Sequence, residues 1–229
     1  MPKTIVIIGF GPGVSTGMAD WFGARGFSVA LVARNADRLV EGLQALKARG
    51  VVAAAFPADA GDPAAIRAAI AKARDELGQI TVLHWNAFRG VGAVDLVAAD
   101  PAAVRSVFDV AIVGLLAAVQ ESLPDLKASG EGAVLITNGA LGDLSPMMDQ
   151  FAIGLDAVGV ALGNAAKDKL AGLLAARLAG EGVYVGEVII AGAIKGTPTG
   201  NDLGISPSTV AEAFWTLYQA RSDLRARVS

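Results

Sequence analysis

The residues best suited to chemistry stand near the front of the chain, where Gly9, Gly11 and Gly13 follow the apolar run Thr4-Ile5-Val6-Ile7-Ile8. Glycines so spaced let the backbone turn tightly and bring its N–H groups against a phosphate at the positive end of a following helix. Strand, glycine turn and helix together suggest a nucleotide cofactor. Phe10, Val14 and Ser15 complete the turn, and the common dinucleotide spacing G-x-G-x-x-G fails because Val14 fills its sixth place. A purely structural glycine turn is the alternative.

Other reactive groups are few. The sequence has no cysteine and one histidine, His84, so thiolate metal sites and disulfides are excluded and a zinc centre would need mostly carboxylates. No metal is expected. The net charge is −3 and the basic residues are scattered, which leaves no footprint for nucleic acid or an anionic membrane. There is no signal-peptide pattern and no uninterrupted apolar run of about 18 residues, so a soluble cytoplasmic protein is expected.

The elements that must position the glycine turn follow from periodicity. At 229 residues the chain suits one α/β domain, 1–229. Strands are predicted at 4–9, 27–34, 51–56, 80–85, 132–138 and 183–190, with helices between them. Asn35, Asp62-Pro63, Asp100-Pro101 and Ser206-Pro207 read as helix starts. Residues 139–155 read as a pocket-lining loop with at most a helical turn, and no strand is expected after the last helix. Strict alternation argues a doubly wound parallel sheet with helices on both faces. The two long helices, 100–122 and 155–179, carry small and apolar residues on more than one face, which predicts a homo-oligomer, a dimer or tetramer.

Gly9-x-x-x-Gly13-x-Ser15, Ala58-Asp59, Asn86-Ala87 and the stretch from Gly182 to Ile194 together resemble the short-chain dehydrogenase/reductase family over essentially the whole chain. The resemblance implies a Rossmann-like fold, a nicotinamide cofactor and a small-molecule substrate or effector. Ser15 stands where the family usually has a third glycine. By the resemblance, Asp59 with its neighbour Ala60 meets the adenine, and Asn86-Ala87 passes close to the cofactor's ribose.

The end of the second strand bears on cofactor type. An acid there would accept hydrogen bonds from the ribose 2′-hydroxyl of NAD, whereas arginine pairs with the 2′-phosphate of NADP. Ala33 holds the acid's place and Arg34 follows, so NADP(H) is expected over NAD(H). Arg34 as a solvated side chain is the alternative.

The resemblance also implies a tyrosine followed four residues later by lysine, and this chain has no such pair. Tyr184 is followed at that spacing by Val188, and Tyr218 by Ser222. Counting back from Gly182 puts Val160 in the tyrosine's place and Asn164 in the lysine's. Asn138-Gly139 replaces the serine that holds the substrate carbonyl, and Ala111 stands where a helix asparagine usually sits. Asn138, Val160 and Asn164 are the candidate substrate-pocket residues, and no catalytic residue is assigned. Asp149, Asp156, Lys167 and Lys169 are possible substitutes, each read more readily as a solvated charge or cap. His84 and Tyr184 read as structural, and Met147, Met148 and Phe151 as core or as a substrate wall. An oxidoreductase with a non-standard site and a cofactor-binding protein without turnover both remain open.

Overall fold

The computed structural model describes residues 3–90, 93–198, 200 and 203–229. Seven strands form one parallel sheet: β1 (Lys3–Ile8), β2 (Phe27–Ala33), β3 (Ala53–Pro57), β4 (Ile80–Trp85), β5 (Ala133–Gly139), β6 (Tyr184–Ile190) and β7 (Arg225–Val228). Their order is β3-β2-β1-β4-β5-β6-β7, with every neighbouring pair parallel. The order reverses between β1 and β4, and a crevice opens at the carboxyl ends of strands where that happens. The glycine turn leaves β1 at this point.

The connecting helices are α1 (Val14–Gly23), α2 (Ala36–Ala48), α3 (Pro63–Leu77), α4 (Pro101–Phe108), α5 (Leu115–Ala128), α6 (Pro146–Gly154), α7 (Val158–Leu178) and α8 (Pro207–Ala220). Their starts are chemically defined. Asn35 accepts the Arg38 N–H, Asp62 accepts those of Ala64 and Ala65, and Asp100 that of Ala102. Ser206 accepts the Ser208 N–H at α8. Proline fills the first turn after Asp62, Asp100 and Ser206, where its missing N–H costs nothing.

Side chains alternate across the sheet, as a strand's period of two requires. Val6, Ile8, Leu83, Trp85 and Ile136 pack on one face, with Ile66 and Ile70 of α3 and Leu115 of α5. Ile5, Ile7, Leu31 and Leu135 pack on the other, with Phe22 of α1 and Phe214 of α8. Strands buried on both faces are what the continuous apolar runs signalled.

Three sequence expectations are corrected. Residues 139–155 are not a loop: a 3-10 turn, Ala140–Gly142, leads into α6, whose cap Ser145 accepts the Met148 N–H ahead of Pro146. A strand does follow the last helix, β7, which pairs with β6 from Glu187↔Arg225 to Ile190↔Val228. The helix expected over 100–122 continues to Ala128, and a π-helical segment, Asp109–Gly114, divides it into α4 and α5. Gly114 is needed there, because a Cβ would stand 1.9 Å from the Ala60 carbonyl oxygen. By length and composition alone Pro101–Ala128 could cross a bilayer. In the fold its Leu115, Ala118, Val119 and Leu126 are part of the core beneath the sheet.

His84 lies on β4, fully buried. Its Nε2 is 2.9 Å from Thr137 Oγ1, and its ring meets Phe214 edge-on at 5.0 Å between centroids. Among the described residues Nδ1 has no partner, and burial lowers the imidazole pKa to about 3. The ring is therefore neutral at ordinary pH and serves the core.

Candidate functional site

The site is built on the carboxyl ends of the strands. Gly9 and Phe10 each donate their N–H to the Val32 carbonyl, at 2.9 and 3.0 Å, which ties the glycine turn to β2. Asn86 Nδ2 donates to the Gly9 carbonyl at 3.0 Å and ties it to β4. Gly9 has φ +89°, and a Cβ on it would stand 2.5 Å from Ala87 N. Gly13 has φ +93°, and a Cβ there would stand 2.7 Å from Thr197 Cγ2 on the segment after β6. Gly11 differs from both: the nearest atom to its hypothetical Cβ is Arg38 Nη1, at 3.9 Å. Two glycines thus allow protein segments to close on the turn, and the third leaves its peptide face open for a ligand.

Ser15, in the place of a third glycine, is fully buried. Its hydroxyl accepts the Gly11 N–H at 2.9 Å and lies 2.7 Å from the Gly11 carbonyl, to which it donates. The serine therefore closes the turn on itself at the start of α1. Val14 is buried beside it, and Phe10 turns away from the cradle, its ring where a Cβ on Gly42 of α2 would be. Phe10 is a packing residue as well as part of the turn.

Asp59 follows β3, and its carboxylate accepts the Gly61 N–H at 2.9 Å and pairs with Arg89 at 3.1 Å. Arg34 Nη1 is 3.9 Å away. Partial burial alone would raise the Asp59 pKa, but the Gly61 N–H and the two guanidinium groups outweigh it and hold the carboxyl below the usual range. Arg38, in the first turn of α2, has its Nη1 3.9 Å from where a Cβ on Gly11 would be. Arg34 and Arg89 thus flank one carboxylate while Arg38 stands at Gly11 of the glycine turn, and together they make an electropositive end for a phosphorylated ligand. The sequence reading named only Arg34. A second arginine just inside the helix that Asn35 starts was available as a signal, whereas nothing local points Arg89 at Asp59.

At the other end of the crevice the structure separates the three pocket candidates. Val160, one turn before Asn164 on α7, packs on Gly90, with its Cγ2 2.4 Å from where a Cβ there would be. Asn138 and Asn164 come together beside a cavity of about 220 Å3, which Gly139, Gly142, Asp143, Leu144, Asp168 and Ile189 complete. Asn138 is committed to the protein: its amide donates to the Asn164 carbonyl at 3.0 Å and to Glu187 Oε1 at 2.7 Å, and accepts the Gly139 N–H. Asp149, Asp156 and Lys169 are exposed, as solvated charges should be.

Lys167 does not fit that description. It is 3% exposed, and its Nζ donates to the Thr137 carbonyl at 3.0 Å. Burial lowers its pKa to about 8, partly offset by the charge of Glu187. Glu187 on β6 is fully buried too, and its Oε2 lies 3.1 Å from Arg225 Nε, which also binds Asp168 at 2.6 Å. Burial, with Asp168 nearby, raises the Glu187 pKa to about 7 against the pull of Asn138 and Arg225. A glutamate inside the apolar run Val185–Ile190 was the one sequence signal for this network, and it went unread.

The family profile for short chain dehydrogenase matches residues 3–150. The chain belongs to the short-chain dehydrogenase family. A curated relative is 3-dehydrosphinganine reductase of Arabidopsis thaliana, 31% identical over 137 residues, 59% of this chain and 40% of that protein. The chain spans about half the length of the curated relatives it matches. Among solved structures, L-sorbose reductase from Gluconobacter frateurii, complexed with NADPH and L-sorbose, superposes with TM-score 0.84 at 20% identity, covering 100% of this chain and 95% of that one. A metagenomic short-chain oxidoreductase in complex with NADP gives 0.81 at 21% identity, covering 99% and 95%. At these identities the likeness is one of fold. It places this chain's parallel sheet in the family architecture.

Proposed function

We propose that the protein is an NADP(H)-dependent oxidoreductase acting on a small carbonyl or hydroxyl compound, with an active site that lacks the family's tyrosine and lysine pair. The observation that carries the cofactor choice is the basic group around the glycine turn, Arg34 and Arg89 at Asp59 and Arg38 at Gly11, with Ala33 where an acid would favour NAD. The NADP(H)-bound relatives of similar fold support the same choice.

The dinucleotide fits the residues present: the turn closes on protein at Gly9 and Gly13 and stays open at Gly11. Its diphosphate would meet N–H groups of the turn at the start of α1. Arg34 and Arg38 would pair with the 2′-phosphate, Asp59-Ala60 would border the adenine, and Asn86-Ala87 would carry the backbone past the ribose. When bound, the nicotinamide supplies or accepts the hydride. The chain's own task is then to hold a substrate oxygen and exclude water beside it, with the proton coming from water or an atypical donor. Val160 and Gly139 offer no hydroxyl for that transfer, and this favours the second reading, a cofactor-binding sensor, subunit or carrier without turnover.

A fluorescence titration with NADPH and NADH, followed by absorbance at saturating NADPH with aldehydes, ketones, quinones and enones, tests both. Turnover of any of these supports the enzyme; binding without turnover leaves the carrier reading, and no binding of either nucleotide removes both. We also propose a homo-oligomer, since Val113, Leu116 and Leu173 leave apolar surface on the π-helical segment, α5 and α7. Light scattering at micromolar concentration tests it, and a monomer refutes it.

A further inference from the structure

Asn164 presents an unused amide at a cavity wall. The residue is 5% exposed and lines the 220 Å3 cavity, yet among the described residues its side chain makes no hydrogen bond with protein. Its amide atoms are not among the fully buried polar atoms that lack a partner, so they meet the open space of the cavity, where water that solvates them can be exchanged for a ligand group.

Two glycines hold it in place. A Cβ on Gly139 would stand 2.7 Å from Asn164 Nδ2, so the amide occupies the space a side chain at 139 would enter. A Cβ on Gly142 would stand 2.8 Å from Asn164 Cβ and 2.6 Å from Ala165 N, so the 3-10 turn presses directly on α7. Asn138 adds a third restraint through the Asn164 carbonyl. The amide is therefore pre-positioned by backbone contacts and not by hydrogen bonds of its own, which leaves its N–H groups free for a ligand.

The rest of the wall limits what that ligand can be. Asp168 is paired with Arg225, and Asp143 with Arg227 at 2.8 Å, so the cavity's carboxylates are neutralised from β7. Leu144 and Ile189 supply apolar surface. At 220 Å3 the space is smaller than the roughly 300–1,000 Å3 of drug-sized pockets. An uncharged, compact molecule with one acceptor oxygen fits these walls.

We propose that Asn164 Nδ2 donates a hydrogen bond to the oxygen of a small, uncharged carbonyl or hydroxyl substrate in this cavity, in the space that a side chain at Gly139 would otherwise fill. The inference rests on the oxidoreductase reading above for its substrate class.

The five asparagines, Asn35, Asn86, Asn138, Asn164 and Asn201, make the test direct, because protein labelled with 15N at the asparagine side chain gives five pairs of amide signals. The Asn164→Asp variant, close in shape, assigns the one in question. NADP+ is added first, and then cyclohexanone, acetone or acetophenone, ketones with no hydrogen on the carbonyl carbon to give up, so that no hydride can pass to the oxidised cofactor. The expected result is that NADP+ shifts the Asn86 signal, at the glycine turn, and that the carbonyl then shifts Asn164 in a saturable way. Asn164→Leu should weaken carbonyl binding about fivefold, the loss of one neutral hydrogen bond, without changing NADP+ affinity. If Asn86 responds to NADP+ while Asn164 stays still for all three carbonyls, this proposal alone is overturned. If no asparagine signal responds to NADP+, the cofactor reading falls and the proposal falls with it.

Discussion

Gly9 and Ala87 lie so close that a Cβ on the glycine would sit 2.5 Å from the alanine nitrogen and 2.6 Å from its Cα. The contact locks the end of β1 to the end of β4 at the point where the strand order reverses. Gly9→Ala faces both this clash and a φ of +89°, so it should cost about 3 kcal/mol or more in stability and abolish nucleotide binding. Denaturant unfolding and NADPH fluorescence measure the two effects. Wild-type stability in Gly9→Ala would show that the two strand ends can separate freely.

Arg34 and Arg38 should discriminate between cofactors. Each is exposed, so replacement by alanine leaves the fold intact. Either change should weaken NADPH about tenfold or more, the loss of a charge-assisted contact to phosphate, and leave NADH nearly unaffected. An equal loss for both nucleotides would remove the 2′-phosphate argument.

His84 predicts a dependence of stability on acid. Its folded pKa is about 3 against an ordinary 6.5, so between these values the unfolded chain binds the proton and the folded chain does not. Its contribution is present above pH 6.5 and is lost as pH falls toward 3. From pH 7 to pH 5 the wild type should lose about 2 kcal/mol more than His84→Leu, read from urea midpoints. Parallel pH profiles would mean that the imidazole titrates normally in the fold.

Glu187 predicts the opposite slope. Its folded pKa is raised to about 7, so its contribution is full below the ordinary value of 4.5 and is lost as pH rises through about 7. Glu187→Gln keeps an acceptor for Asn138 and removes the titration. The variant's stability relative to wild type should therefore rise between pH 5 and pH 8. A relative fall over that interval would show that the ion pair with Arg225 outweighs the cost of burial.

Much of this architecture is legible in the sequence, because it rests on patterns that repeat locally. Apolar runs bounded by glycine and capping residues give six strands, and Asn35, Asp62, Asp100 and Ser206 start helices as their types suggest. Strand β7 was missed because Arg225-Ala226-Arg227-Val228 has no apolar run; it is an edge strand held by its register with β6 and by ion pairs. Helix α6 was missed despite the Ser145-Pro146 start, because exposed Met147, Phe151 and Ile153 obscure its amphipathic pattern. The π-helical segment has no local code and reflects the tertiary contact of Gly114 with Ala60. At the site, the glycine turn, Asn86 and Asp59 come from short motifs. The Lys167, Glu187 and Arg225 network joins three distant elements, so burial of its charges becomes visible only in the fold.

The pairing of Glu187 with Arg225 also bears on the order of assembly. During synthesis the glutamate is made 38 residues before its counter-ion. Until β7 docks, closing α7 over β6 would bury that carboxylate against solvent-excluding walls with only Asn138 and Lys167 to answer it, an expensive state for a charge. The glycine turn waits in part as well, because Gly13 closes on Thr197 and Phe22 of α1 packs in one core with Phe214 of α8. The half that would receive the substrate waits for almost the last residues of the described chain.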